Sequence, residues 1–124
     1  GNGSASSITG SSVTYAGGGG GVTERQDSSS GAGGTGGGGA AANRTSSTQS
    51  SSVAGTANLG GGGGGGGNFI DSGLSGAGGK GVVIISVPDA SYSSTTTGSP
   101  TVDVNAGGTG KTVLTFTATG SYTG

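Results

Sequence analysis

Residues 107–112, Gly-Gly-Thr-Gly-Lys-Thr, end like a phosphate-binding loop, in which backbone N–H groups cradle phosphate and the lysine reaches its outer oxygens. That loop needs a glycine five residues before its second one, and Asn105 stands there instead. It must also open a helix whose N-terminus faces the anion. Residues 112–119, Thr-Val-Leu-Thr-Phe-Thr-Ala-Thr, read instead as a strand. A glycine-rich hairpin turn is the better reading. Serine and threonine hydroxyls abound, but the chain has no His and no Cys, and no Lys sits in a serine motif that would activate one. Glu24, Asp27, Asp71, Asp89 and Asp103 would allow a carboxylate pair for general acid–base work. Asp71 or Asp89 with loop carbonyls would also suit calcium, although no acidic spacing matches a binding loop. Solvated surface carboxylates account for them better. We expect no catalytic residues, no cofactor and no metal site.

The other chemistry-bearing residues have equally plain explanations. Asn2-Gly3-Ser4 and Asn43-Arg44-Thr45 fit the N-glycosylation pattern, as chance allows in so Ser/Thr/Asn-rich a chain. Thr115, Thr117 and Thr119 would make a hydroxyl row of the kind that binds ice, but the solvent side of a half-buried strand is the commoner origin of such a row. Tyr15, Tyr92, Tyr122 and Phe69 would contact sugars or, more simply, anchor the ends of a glycine-rich bundle. Arg25, Arg44, Lys80 and Lys111 are scattered singly, which argues against binding nucleic acid through its phosphates. No apolar run approaches a membrane span. Net charge is −1 with 7% charged residues, so little self-repulsion keeps copies apart. No Met is present and Gly1 comes first, suggesting a processed product or a piece of a longer parent.

What must position these residues is mostly glycine: 35 of 124 residues, against 27% hydrophobic, which leaves too little apolar area for a conventional core. Residues 60–67 are eight consecutive glycines. Ordering them costs about 8–16 kcal/mol of backbone entropy, with no side chain to offset it. Either the run is a flexible linker, or neighbouring chains lie close enough to satisfy its N–H and C=O groups laterally. Further runs at 17–21, 31–39 and 76–81, separated by polar stretches at 22–30 and 43–52, favour the second state. Extended left-handed helices with three residues per turn have no internal hydrogen bonds, and without Cβ atoms they can bond to several neighbours. Collagen is excluded, since it needs a strict Gly-X-Y period and abundant Pro, and only two Pro are present.

Residues 8–15, 82–87, 101–104 and 112–119 read as strands, the last two joined by a hairpin loop at 105–110. In the last, Leu114, Phe116 and Ala118 would form an apolar face and the intervening threonines a hydroxyl face. No segment has a helical period. The expected fold is all-β with polyglycine II: a bundle of extended glycine-rich rods framed by β-strands over residues 1–88, then a small Thr-rich β module over 89–124.

The segments SSITGSSVTYAGGGGGV (6–22), GTANLGGGGGGG (55–66) and GAGGKGVVIIS (76–86) together resemble the glycine-rich modules of tailed-phage tail-fibre and appendage proteins. Residues 95–124 are similar to the short Thr-rich β repeat that adjoins such modules. More distantly, the pattern is similar to the glycine-rich domain of certain animal receptor ectodomains. The resemblance implies bundled polyglycine II helices held by a β framework, in a structural protein of a virion or an extracellular surface. Its partners would be copies of itself, neighbouring fibre proteins, or a host surface glycan or outer-membrane protein. The ligand-facing positions would then be the loops at 22–30 and 43–52, with Glu24, Arg25, Gln26, Asp27, Asn43 and Arg44 as contact residues. The alternative expectation is a self-assembling extracellular filament subunit of a microbe whose exposed strand edges pair with the next copy. An ice-binding protein comes third.

Overall fold

A computed structural model describes residues 1–23, 29–43, 50–67 and 74–124. The chain forms two compact units, one of Gly1–Ala5 with Thr14–Gly81 and the other of Ser6–Val13 with Val82–Gly124. The fold is all-β. Among the described residues there are seven short strands, and the only helical pieces are the 3-10 turns Asp89–Ser91 and Ala106–Gly108. None of the described residues form a helix long and apolar enough to cross a membrane. Strands β1 (Ser4–Ser6) and β2 (Val13–Tyr15) make a two-stranded sheet. The expected strand over 8–15 is shorter than its β-branched residues suggested. Gly10 takes φ 86° in a turn, a backbone conformation open to glycine at no steric cost, and pairing resumes only at Val13.

The first unit is six extended rods, numbered in chain order: residues 17–21, 31–34, 38–43, 50–56, 61–67 and 74–80. Rods 1, 3 and 5 run parallel and close a hydrogen-bonded ring. Gly17 and Gly20 donate to the carbonyls of Gly36 and Gly39; Gly39 and Ala42 donate to Gly62 and Gly65; Gly62 and Gly65 donate back to Gly17 and Gly20, all at 2.8–2.9 Å. Donors recur at every third residue, the repeat of an extended three-residue-per-turn helix. Rods 2, 4 and 6 run antiparallel to these. Gly31 and Gly34 donate to Gly21 and Gly18, Val53 and Thr56 to Ala40 and Gly37, and Gly76 and Gly79 to Gly64 and Gly61. Backbone polar groups are thus paired laterally instead of along one strand, which answers the cost of ordering so much glycine.

The same period of three appears in burial. Gly61, Gly64 and Gly67 are buried in rod 5, and Gly17 and Gly20 in rod 1. A Cβ built on Gly61 or Gly64 would fall within 3.0 Å of the carbonyl of Gly37 or Ala40, so any side chain there must push the rods apart. Where the chain points outward it carries methyl groups instead: Ala32, Ala54 and Ala77 are exposed on rods 2, 4 and 6. The glycine run at 31–39 is two rods, not one. It reverses at residues 35–37, where Gly36 and Gly37 take φ of 96° and 92°.

In the second unit, β3 (Val83–Pro88), β6 (Lys111–Phe116) and β5 (Thr101–Asp103) form an antiparallel sheet in the order β3-β6-β5. The expected hairpin at 101–119 is present, with Val102 opposite Leu114. β6 is the central strand and is buried on both faces, Thr112, Leu114 and Phe116 on one and Val113 on the other. The strand stops at Phe116. Thr117 and Thr119 lie beyond it in exposed bends, so no continuous threonine row forms with Thr115. A separate two-stranded antiparallel sheet pairs β4 (Thr95–Thr97) with β7 (Ser121–Thr123) across the intervening β5 and β6. Tyr92 and Tyr122 stack on each other, with ring centroids 6.0 Å apart, and so anchor this second unit; they are not residues of the glycine bundle.

Candidate functional site

In the bundle, rods 1, 3 and 5 start at the end that carries the turns 35–37 and 57–60, and the chain enters and leaves the unit at that same end. Ala16 N–H donates to Leu59 and Asn58 N–H to Lys80, tying entry and exit together there. At the opposite end the described chain stops at residues 23 and 29 past rods 1 and 2, at 43 and 50 of rods 3 and 4, and at 67 and 74 of rods 5 and 6. The three connections, 24–28, 44–49 and 68–73, lie outside the described residues, and with them Glu24, Arg25, Gln26, Asp27 and Arg44, as well as Phe69 and Asp71.

The necks of the three connections are described, and each is held by a serine. Ser30 Oγ accepts from Thr23 N–H at 3.4 Å. Ser50 Oγ accepts from Asn43 N–H at 2.9 Å, while Asn43 C=O accepts from Ser50 N–H at 2.9 Å. Ser75 Oγ accepts from Gly66 N–H at 3.3 Å. A fourth serine, Ser52, donates through Oγ to the Leu74 carbonyl. A serine hydroxyl can stand in for a backbone acceptor where the rods' own register ends. Asn43, the one expected contact residue that is described, is exposed and belongs to such a neck. Its backbone is committed to Ser50, so its side chain is the part left to meet a partner.

This end also exposes apolar side chains. Val22, just past rod 1, and Leu74, at the start of rod 6, stand at this end, and Leu74 is 75% exposed; Val53 is exposed midway along rod 4. Sequence reasoning missed this surface and the third connection, 68–73, and named only the loops at 22–30 and 43–52. The signal that could have found it was Asn-Phe-Ile-Asp, an apolar and charged insert between two glycine runs. Together the described groups offer neutral hydroxyls and aliphatic patches on a backbone fixed by hydrogen bonds, an arrangement suited to contact.

The other candidates are structural. Residues 105–110 form a tight loop: Asn105 takes φ 55°, its Oδ1 accepts from Gly110 N–H at 2.8 Å, and Lys111 begins β6 directly, so no helix comes after it to face a phosphate. Asp89 accepts from the buried hydroxyl of Thr112 at 2.7 Å and from Asn105 N–H at 3.3 Å, fastening that loop to the sheet. No group of three or more potential metal ligands exists among the described residues. Asn2 lies in the first unit, where its Oδ1 accepts from Thr35 N–H at 3.2 Å.

No curated protein and no solved structure matches the chain. The model of one family, the glycine-rich domain, matches residues 1–88, the stretch that contains all six rods and ends with β3. With most of its length so matched, the chain belongs to the glycine-rich domain family.

Proposed function

We propose that the chain is a structural, non-catalytic component of a phage tail fibre or appendage, adhesive through the loops at one end of its glycine bundle. The observation that carries this reading is that the described ends of rods 1 and 2, 3 and 4, and 5 and 6 are tied in pairs at the end opposite the chain's entry and exit. Recognition loops on a rigid scaffold are arranged in this way. The serine necks and the exposed Val22 and Leu74 support it further. The partner is a host surface glycan or outer-membrane protein, with copies of the chain or neighbouring fibre proteins on the other side, in a virion or extracellular setting. The test is binding of the purified protein to bacterial envelopes, repeated with residues 24–28, 44–49 and 68–73 each replaced by Ser-Gly repeats. Loss of binding with an unchanged melting temperature is expected. Binding that survives all three replacements, or is absent from every envelope tried, refutes the reading.

A second reading, a self-assembling extracellular filament subunit, is favoured by one observation. Both outer strands of the three-stranded sheet, β3 and β5, have free edges among the described residues. Electron microscopy of the protein alone tests it: regular fibres support it, and monomers or short trimers sink it.

A further inference from the structure

Edge strands are normally guarded by a lysine, an inward charge or a bulge, because their unpaired N–H and C=O groups template pairing with another chain. β3 has no such guard. Its residues Val83, Ile84, Ile85, Ser86 and Val87 bear no charge, and only Pro88 at its end lacks a donor. Among the described residues, no backbone hydrogen bond reaches the outer side of β3 or of β5. The register sorts the faces of the sheet. Ile85, Leu114 and Val102 form one row across it, while Asp103, Val113 and Ser86 form a row on the opposite face. The single charge of β5 therefore points away from the apolar side.

Along that apolar face, Leu114 is fully buried at the centre, and both rims are open. Val83 is 60% exposed on the β3 side, and Val104, just past β5, is 62% exposed on the other, with Val102 between it and the core. Beside Val83 and Ile85 lies a cavity of ≈ 270 Å³, walled by Phe116, Ala118 and Tyr122. Val102 and Val104 stand two residues apart, as Val83 and Ile85 do, so the chain itself carries a second apolar pair of the same spacing. β3 and β5 are each antiparallel to β6 and so parallel to one another. A second copy shifted sideways, and by two residues along the strands, brings its β5 alongside β3 with Val102 beside Val83 and Val104 beside Ile85, and the even shift keeps both on the apolar side.

Resting on the filament reading, we infer that the partner of the β3 edge is β5 of a second copy, added as a parallel strand with Val102 and Val104 against Val83, Ile85 and the neighbouring cavity. The two surfaces differ, so the contact is heterologous and repeats without closing, giving an open fibre. A net charge of −1 leaves little repulsion between successive copies.

The chain has no cysteine, so single introduced thiols report contacts without background. Val83→Cys and Val102→Cys proteins, one carrying a mass tag, are mixed and oxidised, and the cross-links are mapped. The unlike pair is expected to exceed either like pair by on the order of tenfold, because only unlike edges meet. In parallel, Val83→Lys and Val102→Lys proteins should each fail to form fibres alone and should form only dimers when mixed. Fibres in the microscope with a random mixture of cross-links, or with Val83–Val83 links dominant, overturn the inference and leave the filament reading standing. Monomers with no cross-link remove both.

Discussion

Replacing Gly64 by alanine tests the rod packing most directly. Gly64 is buried, its φ is not in the left-handed region, and an added Cβ would overlap the Ala40 carbonyl of rod 3. Rod 5 must then move off rod 3, at an overpacking cost of about 1–3 kcal/mol. The displacement also strains two bonds made by residue 64 itself, Gly64 N–H to Val53 at 2.9 Å and Gly76 N–H to Gly64 at 2.8 Å. Losing them adds about 0.5–1.5 kcal/mol each. Against this, alanine lowers the entropy of the unfolded chain by about 0.4–1 kcal/mol. The net expectation is a loss of about 3 kcal/mol, within a range of about 1–6. Gly78 is the matched control: it is exposed on rod 6, and the nearest atom to its added Cβ is the Gly61 carbonyl oxygen at 3.8 Å, ordinary contact. Gly78→Ala should therefore stabilise by about 0.4–1 kcal/mol. Thermal unfolding followed by circular dichroism should show Gly64→Ala melting lower by roughly 10 °C or more and Gly78→Ala slightly higher than the parent, at about 4–8 °C per kcal/mol. Equal shifts for the two variants, or an unchanged Gly64→Ala protein, would show that residues 60–67 are not packed against rod 3.

Residue-resolved amide exchange should follow the period of three, with Gly62, Gly64 and Gly65 slow and Gly63, which donates no backbone bond among the described residues, fast; uniformly fast exchange from 60 to 67 would restore the flexible linker. Ser50→Ala should speed exchange at Asn43 while leaving Gly39 and Gly62 protected, at a cost of at most about 1 kcal/mol for so exposed a bond. Thr112→Val should destabilise by about 1–3 kcal/mol, because Asp89 loses its buried hydroxyl donor, and Thr112→Ser should recover most of that in urea unfolding. Chelator treatment should leave the melting temperature unchanged, and a drop of several degrees would reveal a bound cation.

Much of the fold is written in local composition, and the gaps have physical reasons. The glycine runs at 17–21, 60–67 and 76–81 are legible as rods because no other structure repays so much backbone entropy. Rod 4 is not legible: Val53, Ala54 and Thr56 are ordinary residues, accepted there because only Gly55 of that stretch faces a neighbouring backbone, the Gly61 carbonyl and Gly79 N–H, at distances that exclude a Cβ. The split of 31–39 into two rods hides in a turn built from the same glycine as the rods it joins. In the second unit the alternation of Leu114 and Phe116 with threonines suggested one wet face. The fold overrides it at Val113, which is buried on the face opposite Leu114 and Phe116. Of the expected contact residues, Asn43 is placed at a neck by its bonds to Ser50, and the others lie outside the described residues.

The closed ring of rods 1, 3 and 5 bears on how the chain folds. Gly17 receives its bond from Gly62, with rods 2, 3 and 4 lying between them in the chain. No rod can form first and wait, because none has hydrogen bonds of its own, and the ring gains its last edge only when rod 5 arrives. Contacts so distant in sequence make loop closure precede reward, which slows folding. Folding of the bundle should accordingly be slow and all-or-none, with unfolding that exposes every rod at once and no stable half-bundle left for a protease to find.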